Sequence, residues 1–177
     1  IADLFEMVAD KVPGRSALVC GDQRATFAEL EQRANKLAHY LTSRGVGPGD
    51  HVGLYLYNCN EYLETQFGIM KMRGVSINVN YRYHEEELVY LLDNADCEAL
   101  VYQACYASRI EAIRDQLPNI KTYIRIDDET GGSIPGDIEF EQLIKQTKPM
   151  PRIERSFDDI YMLYTGGSTG LPKGVMF

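Results

Sequence analysis

The sequence predicts an α/β fold in which helices cover both faces of a layered, largely parallel sheet. Short apolar segments typical of strands alternate at least four times with segments of helical periodicity. The segment Val52–Tyr57 has apolar or aromatic side chains on both faces of the strand that it predicts, as is typical of a strand covered on both sides. These observations favour parallel strands buried between two layers of helices.

Length and composition are those of a globular domain with an acidic surface. The chain has 177 residues, of which 45% are hydrophobic and 25% charged, and its net charge is −8; this favours one domain with a sizeable core. An acidic chain is a poor partner for nucleic acid or anionic membranes, and no apolar run approaches a bilayer span. The four cysteines form no Cys-x-x-Cys pair, and we expect no secretory signal and a reduced, cytoplasmic protein.

The first part of the chain predicts a helix, a hairpin and a long amphipathic helix. Gly21 and Asp22 separate two strand-like runs with the spacing of a two-residue hairpin turn. Thr26 followed by Glu29 predicts a capping box at the start of the long helix, and Gly45 predicts its end. The predicted buried face of this helix is Leu30, Ala34, Leu37 and Leu41. The segments before it are the helix Ala2–Val12 and the strands Ala17–Cys20 and Arg24–Thr26.

Strands and helices then alternate as far as the last predicted strand. Gly74 predicts the end of the helix Glu61–Arg73. The glutamates at positions 85–87 suit the positive end of the dipole of the next helix. The predicted strands are Val52–Tyr57, Val75–Val79, Ala99–Tyr102, Thr122–Ile126 and Ile160–Tyr164. The predicted helices are Glu61–Arg73, His84–Leu92, Ala107–Gln116 and Phe140–Gln146.

A glycine-rich segment that follows the last predicted strand is the most informative part of the chain. Residues Thr165–Gly174 contain four glycines, three hydroxyl side chains and one lysine. Glycines let the backbone turn tightly and bring its N–H groups close to a ligand. Such N–H groups, together with hydroxyls and an ammonium group, can form a cradle for phosphate oxygens.

Three other interpretations of this segment are weaker. A connector without a ligand leaves Ser168, Thr169 and Lys173 beside the glycines unexplained. A P-loop that starts at Gly167 would need glycine where Pro172 stands and a hydroxyl directly after Lys173. A dinucleotide-binding fold would need Gly-x-Gly-x-x-Gly, which this segment lacks.

The run Tyr164–Val175 resembles the phosphate-binding motif of adenylate-forming (AMP-binding) enzymes, whose usual form is Tyr-Thr-Ser-Gly-Thr-Thr-Gly-x-Pro-Lys-Gly. Gly166 replaces the first serine of that motif, so the role of that hydroxyl does not carry over, and Ser168 replaces the first threonine but keeps a hydroxyl. Two weaker similarities occur upstream in the expected order, at Ala25–Leu30 and from Met70 to Tyr83. The Asn-Tyr-Arg-Tyr end of the second is more like acyl-CoA synthetases than amino-acid-activating domains.

The resemblance implies an ATP-dependent ligase that activates a carboxylic, most typically fatty, acid as acyl-AMP with release of pyrophosphate and then transfers it to coenzyme A. It implies that hydroxyls of Thr165, Ser168 and Thr169 donate to phosphate oxygens, and that Lys173 supplies positive charge as pyrophosphate departs. Gly166, Gly167 and Gly170 would allow close backbone approach, and Mg²⁺ would bridge the phosphates. Lys173 and Thr165 are the candidate catalytic residues.

The resemblance also implies that residues 1–177 are a partial N-terminal AMP-binding domain that ends just after the phosphate-binding loop. The rest of the large domain and a small C-terminal domain, which hold the ribose-binding acidic residue and a further lysine, would lie beyond Phe177. We therefore expect these 177 residues alone to lack ligase activity. A homodimer is compatible with the resemblance.

Two alternatives share the fold. One is a non-catalytic module that binds a nucleotide or an acyl group, and the other is an amino-acid-adenylating domain. Residues downstream of position 177 would separate them, because the ligase needs a complete Thr-Glu motif and a C-terminal lysine, whereas the adenylating domain needs an acidic residue for the substrate amine.

Other polar residues are interpreted as structural. His39 and His51 have no serine or cysteine partner in their sequence context, which favours solvated or capping roles, and His84 opens a predicted helix and is interpreted as structural. The acidic runs at 127–129 and 158–159 lack the ligand spacing of a metal site, so we predict no protein metal site.

Overall fold

Helices and strands alternate through the computed structural model, which describes residues 1–165 and 171–177. The helices are α1 Ala2–Lys11, α2 Phe27–Ser43, α3 Asn60–Lys71, α4 Glu85–Asn94, α5 Ala107–Ile113 and α6 Phe140–Gln146. The strands are β1 Ser16–Cys20, β2 Gln23–Thr26, β3 His51–Tyr55, β4 Val75–Asn78, β5 Cys97–Gln103, β6 Thr122–Ile126, β7 Ile138–Glu139, β8 Met162–Thr165 and β9 Lys173–Met176.

The central sheet has five parallel strands in the order β4-β3-β5-β6-β7. The chain passes from β3 to β4 on one side and then to β5 on the other side of β3. The carboxyl ends of β3 and β5 therefore form a topological switch point, where open α/β sheets characteristically bind ligands. The predicted α/β class and parallel sheet are confirmed.

Side chains of the central strands alternate between two buried layers, as expected for strands covered on both faces. On β3, Leu54 belongs to the layer under α2, α3 and α6, whereas Tyr55 belongs to the layer under α4 and α5. On β5, Val101 and Tyr102 divide in the same way. The predicted helices on both faces are thus confirmed, and the sheet is held mainly by apolar burial.

Two glycines set how closely the layers approach. A Cβ on Gly53 of β3 would lie 2.8 Å from Leu92 Cδ2, so this glycine lets α4 pack directly on the sheet. A Cβ on Gly68 of α3 would lie 2.9 Å from the carbonyl oxygen of Ala34, where α3 crosses α2. At both positions a larger residue would have to push packed elements apart.

The predicted capping box at α2 is confirmed, because Glu29 N donates to Thr26 Oγ1 at 3.2 Å and Thr26 N donates to Glu29 Oε2 at 2.7 Å. Gly45 follows α2 with a left-handed φ of +78°, as predicted. The prediction that Gly74 ends α3 is wrong, because Arg73 is the left-handed residue, with φ +65°. A Cβ on Gly74 would lie 2.8 Å from Met72 Cε, the end of a flexible side chain that would have to shift.

The strand predicted at Ile160–Tyr164 begins later, at Met162, and does not join the parallel sheet. It pairs as β8 with β9 in a two-stranded antiparallel ribbon. The periodicity of a strand does not indicate which other strand it pairs with, so the sequence did not predict this pairing.

Candidate functional site

The β8–β9 ribbon brings together the two ends of the glycine-rich segment. Thr165 is the last residue of β8 and Lys173 the first residue of β9, and the two are direct partners in the antiparallel register. Both side chains are exposed. The remaining candidate residues, Gly166, Gly167, Ser168, Thr169 and Gly170, lie outside the described residues. The described part of the site thus places one hydroxyl and one ammonium group side by side at the end of the ribbon.

The far end of the ribbon is fixed to the body of the protein. Tyr161 and Phe177 exchange backbone hydrogen bonds of 3.1 and 2.8 Å. Met162 is buried in the same apolar layer as α4 and α5. The side chains of β9 are exposed, so the ribbon is attached mainly through β8.

Tyr164 links the ribbon to α4. Its ring lies against Gly174, its register partner, where an added Cβ would be 3.1 Å from Tyr164 Cε2. Its hydroxyl donates to Asn94 Oδ1 at 2.9 Å, and burial raises the pKa of the phenol. On the other arm, the Tyr90 hydroxyl donates to the carbonyl oxygen of Pro172 at 3.3 Å. Both arms are therefore held next to the segment 166–170.

A cleft of about 390 Å³ adjoins Tyr164 at the carboxyl ends of β3 and β4. Its walls combine amide and phenol groups, and Tyr62 donates to Asn78 Oδ1 at 2.9 Å beside it. The lining residues include Asn58, Tyr62, Asn78, Asn80, Tyr81 and Tyr164. Because Tyr164 lines it, the cleft adjoins the strand that ends at Thr165.

Tyrosines are clustered at the topological switch point. The ring centroids of Tyr55 and Tyr106 lie 4.2 Å apart, and Tyr57 N donates to Gln103 Oε1 at 2.8 Å between the ends of β3 and β5. Arg109 Nη1 donates to the Tyr55 hydroxyl at 2.5 Å. Burial raises the pKa of Tyr55, and Arg109 opposes that shift. Tyr55 is fully buried.

The segment that leads into β8 is held by ion pairs rather than by secondary structure. Arg155 donates to Glu6 Oε1 at 2.6 Å and Oε2 at 3.0 Å, and Glu6 also pairs with the buried Lys71. Burial alone would raise the pKa of Glu6, but the hydrogen bonds from Arg155 and Lys71 outweigh it and hold this pKa below its ordinary value. Arg73 Nε donates to Asp159 Oδ1 at 2.8 Å.

The three histidines have the structural settings that their sequence context predicted. His39 Nδ1 lies 2.7 Å from the carbonyl oxygen of Lys148, and His51 Nδ1 lies 2.5 Å from that of Ala95. His84 is the N-cap residue of α4, and its N–H donates to Glu87 Oε2 at 2.9 Å. None of these contacts brings a histidine to the ribbon.

Within residues 1–165 and 171–177, no group of three or more His, Cys, Asp or Glu side chains is arranged to hold a metal ion. The four cysteines are free, and burial raises the pKa of Cys59 to about 12. In the same described ranges, no helix is long and apolar enough to cross a bilayer.

Sequence reasoning missed Tyr90 and Asn94, which contact the ribbon. They lie four residues apart on α4, whose buried leucines indicate only that it packs on the core. The sequence contained no signal for their contacts, because the bonds join positions 70 and 82 residues apart in the chain.

The sequence model of the AMP-binding enzyme family matches residues 5–177. The chain belongs to the AMP-binding enzyme family. The family that the Tyr164–Val175 run indicated is thereby confirmed.

Relatives of this AMP-binding chain include acid–CoA ligases of actinobacteria. A medium/long-chain-fatty-acid–CoA/3-oxocholest-4-en-26-oate–CoA ligase of Mycobacterium marinum is 47% identical over 184 residues, covering 100% of this chain and 34% of the relative. A 3-oxocholest-4-en-26-oate–CoA ligase of Rhodococcus rhodochrous is 47% identical over 180 residues, covering 100% of this chain and 32% of the relative. The chain spans about a third of the length of these curated relatives.

The fold matches that of a solved acid–CoA ligase. The anthranilate CoA ligase AuaEII, in complex with anthranoyl-AMP, superposes with a TM-score of 0.91 at 26% identity, covering 99% of this chain and 34% of the other. The β8–β9 ribbon thus lies within a fold shared with an acid–CoA ligase.

Proposed function

We propose that this chain is part of an ATP-dependent acid–CoA ligase. The enzyme would activate a carboxylic acid as acyl-AMP, release pyrophosphate, and transfer the acyl group to coenzyme A. The single observation that carries the proposal is the register pair Thr165–Lys173, which joins the ends of a glycine- and hydroxyl-rich segment. The acid is proposed to be a medium- or long-chain fatty acid or a similar acid, in line with the names of relatives that share 47% identity.

The described residues fit a triphosphate at the end of the ribbon. An exposed hydroxyl and an exposed ammonium group lie on adjacent strands, where both can reach one anionic ligand. As the carboxylate attacks the α-phosphorus, negative charge grows on the departing pyrophosphate, and donors already in place lower that barrier. Lys173 supplies the positive charge and Thr165 a hydroxyl donor.

Five further donors are proposed from the sequence motif alone. The hydroxyls of Ser168 and Thr169 would donate to the phosphates, and Gly166, Gly167 and Gly170 would let the backbone approach them closely. Mg²⁺ would accompany the nucleotide and neutralise part of the phosphate charge. We propose phosphate oxygens, rather than side chains of this chain, as its principal ligands.

On this proposal, residues 1–177 form a partial N-terminal AMP-binding domain, and other segments of the enzyme supply the remaining catalytic groups. The great length of the relatives compared with this chain supports that division. A homodimer and a cytoplasmic location remain predictions.

The test uses the full-length protein that contains this chain. Acid-dependent exchange of labelled pyrophosphate into ATP should appear with at least one member of a panel of fatty, steroidal and aromatic acids. Titration with Mg-ATP at about millimolar concentration, a typical upper KM for enzymes, should shift the amide resonances of Thr165 and Lys173. Absence of exchange with every acid, together with unshifted amides, would overturn the proposal.

A further inference from the structure

We propose that α4 positions Thr165 and Lys173 through the residues that precede them, and that Tyr90 and Asn94 are the positioning residues. The proposal depends on the function proposed above. Each residue holds one arm of the ribbon immediately beside a candidate phosphate-binding residue. Asn94 accepts from Tyr164, which precedes Thr165, and Tyr90 donates to Pro172, which precedes Lys173.

The two contacts come from one face of one helix. Tyr90 and Asn94 are four residues apart in α4, so their side chains project from neighbouring turns on the same side. The bond lengths are 2.9 Å for Tyr164–Asn94 and 3.3 Å for Tyr90–Pro172. A single rigid element therefore sets where both arms lie.

Helix α4 is firmly attached to the parallel sheet. Leu88, Leu91 and Leu92 are at most 1% exposed, and Leu92 packs at Gly53 in the middle of β3. The first turn is capped by the 2.9 Å bond from His84 N to Glu87 Oε2. Because α4 cannot shift without disturbing this core, its polar face is a fixed reference for the ribbon.

The ribbon needs such a reference at its loop end. Its far end is fixed by Met162 and by the backbone pair of Tyr161 and Phe177, whereas the side chains of β9 are exposed. Without the contacts to α4, the paired arms would be free to pivot together about the far end and shift relative to the rest of the protein. Thr165 and Lys173 would then be less preorganised for the triphosphate, and the loss should fall on the nucleotide rather than on the acid.

The test compares three variants of the full-length enzyme in the pyrophosphate-exchange assay. Tyr90→Phe and Asn94→Ala each remove one contact between α4 and the ribbon. Tyr40→Phe is the matched control, because it removes a buried hydroxyl contact of 3.2 Å to Thr122 Oγ1 on the opposite layer. Thermal unfolding of all three variants is measured alongside.

The expected result is a selective effect on the nucleotide. Tyr90→Phe and Asn94→Ala should each raise KM for Mg-ATP about threefold to tenfold, the range expected from losing one hydrogen bond. KM for the acid should change by less than about twofold, and Tyr40→Phe should leave both KM values within that limit while shifting thermal stability.

Two further variants separate positioning from general structure. Asn94→Asp keeps an acceptor oxygen for Tyr164 and should restore KM for Mg-ATP to within about twofold of the original enzyme. Tyr164→Phe removes the donor of the same bond, so Tyr164→Phe combined with Asn94→Ala should be no worse than either change alone.

The proposal is overturned if Tyr90→Phe and Asn94→Ala behave like Tyr40→Phe, or if they raise both KM values in proportion. Strict additivity of Tyr164→Phe and Asn94→Ala would also overturn it. These outcomes differ from failure of the proposed function, in which the unmodified enzyme itself shows neither exchange nor binding of Mg-ATP.

Discussion

The parallel sheet and the β8–β9 ribbon are held by different forces. The sheet is buried between two helical layers, and its central strands have residues at 0% exposure, including Leu54 and Val101. The ribbon leaves the side chains of β9 exposed and is fixed at its loop end by two side-chain hydrogen bonds to α4. Stability thus resides mainly in the sheet, whereas the candidate chemistry lies on the less buried element.

The lead-in to the ribbon explains how a segment without helix or strand can be placed accurately. Between α6 and β8, Arg155 reaches Glu6 on α1, and Asp159 accepts from Arg73 at the end of α3. Arg152 makes a two-pronged contact with Asp10, with bonds of 2.8 and 2.9 Å. Charged pairs therefore hold this segment in place, whereas apolar packing holds the sheet.

Two buried glutamates show the contrast in opposite pKa shifts. Glu6 is stabilised as a carboxylate by Arg155 and Lys71, so its pKa is lowered despite burial. Glu64 lies on α3 and is 3% exposed. Burial raises its pKa to about 7, although Arg33 Nε is only 2.8 Å from its carboxylate. The charge of Glu6 is useful to the fold, whereas the charge of Glu64 is costly.

Glu6→Gln should have the largest effect on stability. It leaves Lys71 and Arg155 without their shared carboxylate, and breaking a buried pair in this way should lower the free energy of unfolding by about 2–4 kcal/mol. Chemical denaturation followed by circular dichroism measures it. Glu111→Gln is the control, because Glu111 forms an exposed pair with Arg114 at 3.4 Å; a loss of similar size there would contradict the contrast.

Gly68→Ala should destabilise the scaffold without affecting the ribbon. The new Cβ would lie 2.9 Å from a backbone oxygen of α2, so the helices must separate, at about 1–3 kcal/mol. KM for Mg-ATP should not change. Gly47→Ala is the control, since nothing lies within 4 Å of the added Cβ. Equal destabilisation by both changes would show that the α2–α3 crossing is not the cause.

Lys173→Ala should instead slow catalysis and leave stability nearly unchanged. Loss of the ammonium group should slow adenylation by more than about tenfold, which means that it raises the activation free energy by at least about 1.4 kcal/mol. Because Lys173 is exposed, the free energy of unfolding should change by less than about 0.5 kcal/mol. Lys173→Arg, which keeps the charge, should recover part of the rate. An unchanged rate in Lys173→Ala would remove this residue from the mechanism.

Glu64→Gln should have the smallest effect, and its sign depends on pH. The folded protein binds this proton more tightly than the unfolded chain, so the contribution of Glu64 to stability falls as pH rises from about 4.5 to about 7. Relative to Glu64→Gln, the original protein should lose of order 1 kcal/mol between those pH values. Denaturation at several pH values measures it, and a pH-independent difference would contradict the raised pKa.

The periodicity of the sequence predicted the scaffold well because each of its elements contains its own signal. Leu30, Leu37 and Leu41 form the buried face that their spacing indicates, and the Thr26–Glu29 box starts α2 where predicted. The motif also predicted Thr165 and Lys173 as site residues, which remains a proposal. The left-handed Arg73 that follows α3 was missed, because a positive φ is uncommon for residues other than glycine.

Local pattern alone determined the elements, the two-sided burial of the sheet and the character of the glycine-rich segment, because helix and strand periods, caps and glycines act over a few residues. Only the tertiary structure decided that β8 pairs with β9 outside the parallel sheet, that Glu6 joins Lys71 to Arg155, and that Tyr90 and Asn94 hold the arms of the ribbon. Glu6 lies 65 positions from Lys71 and 149 from Arg155, and the two contacts of α4 with the ribbon join residues 70 and 82 positions apart. A single polar side chain does not specify a distant partner until packing brings the two together.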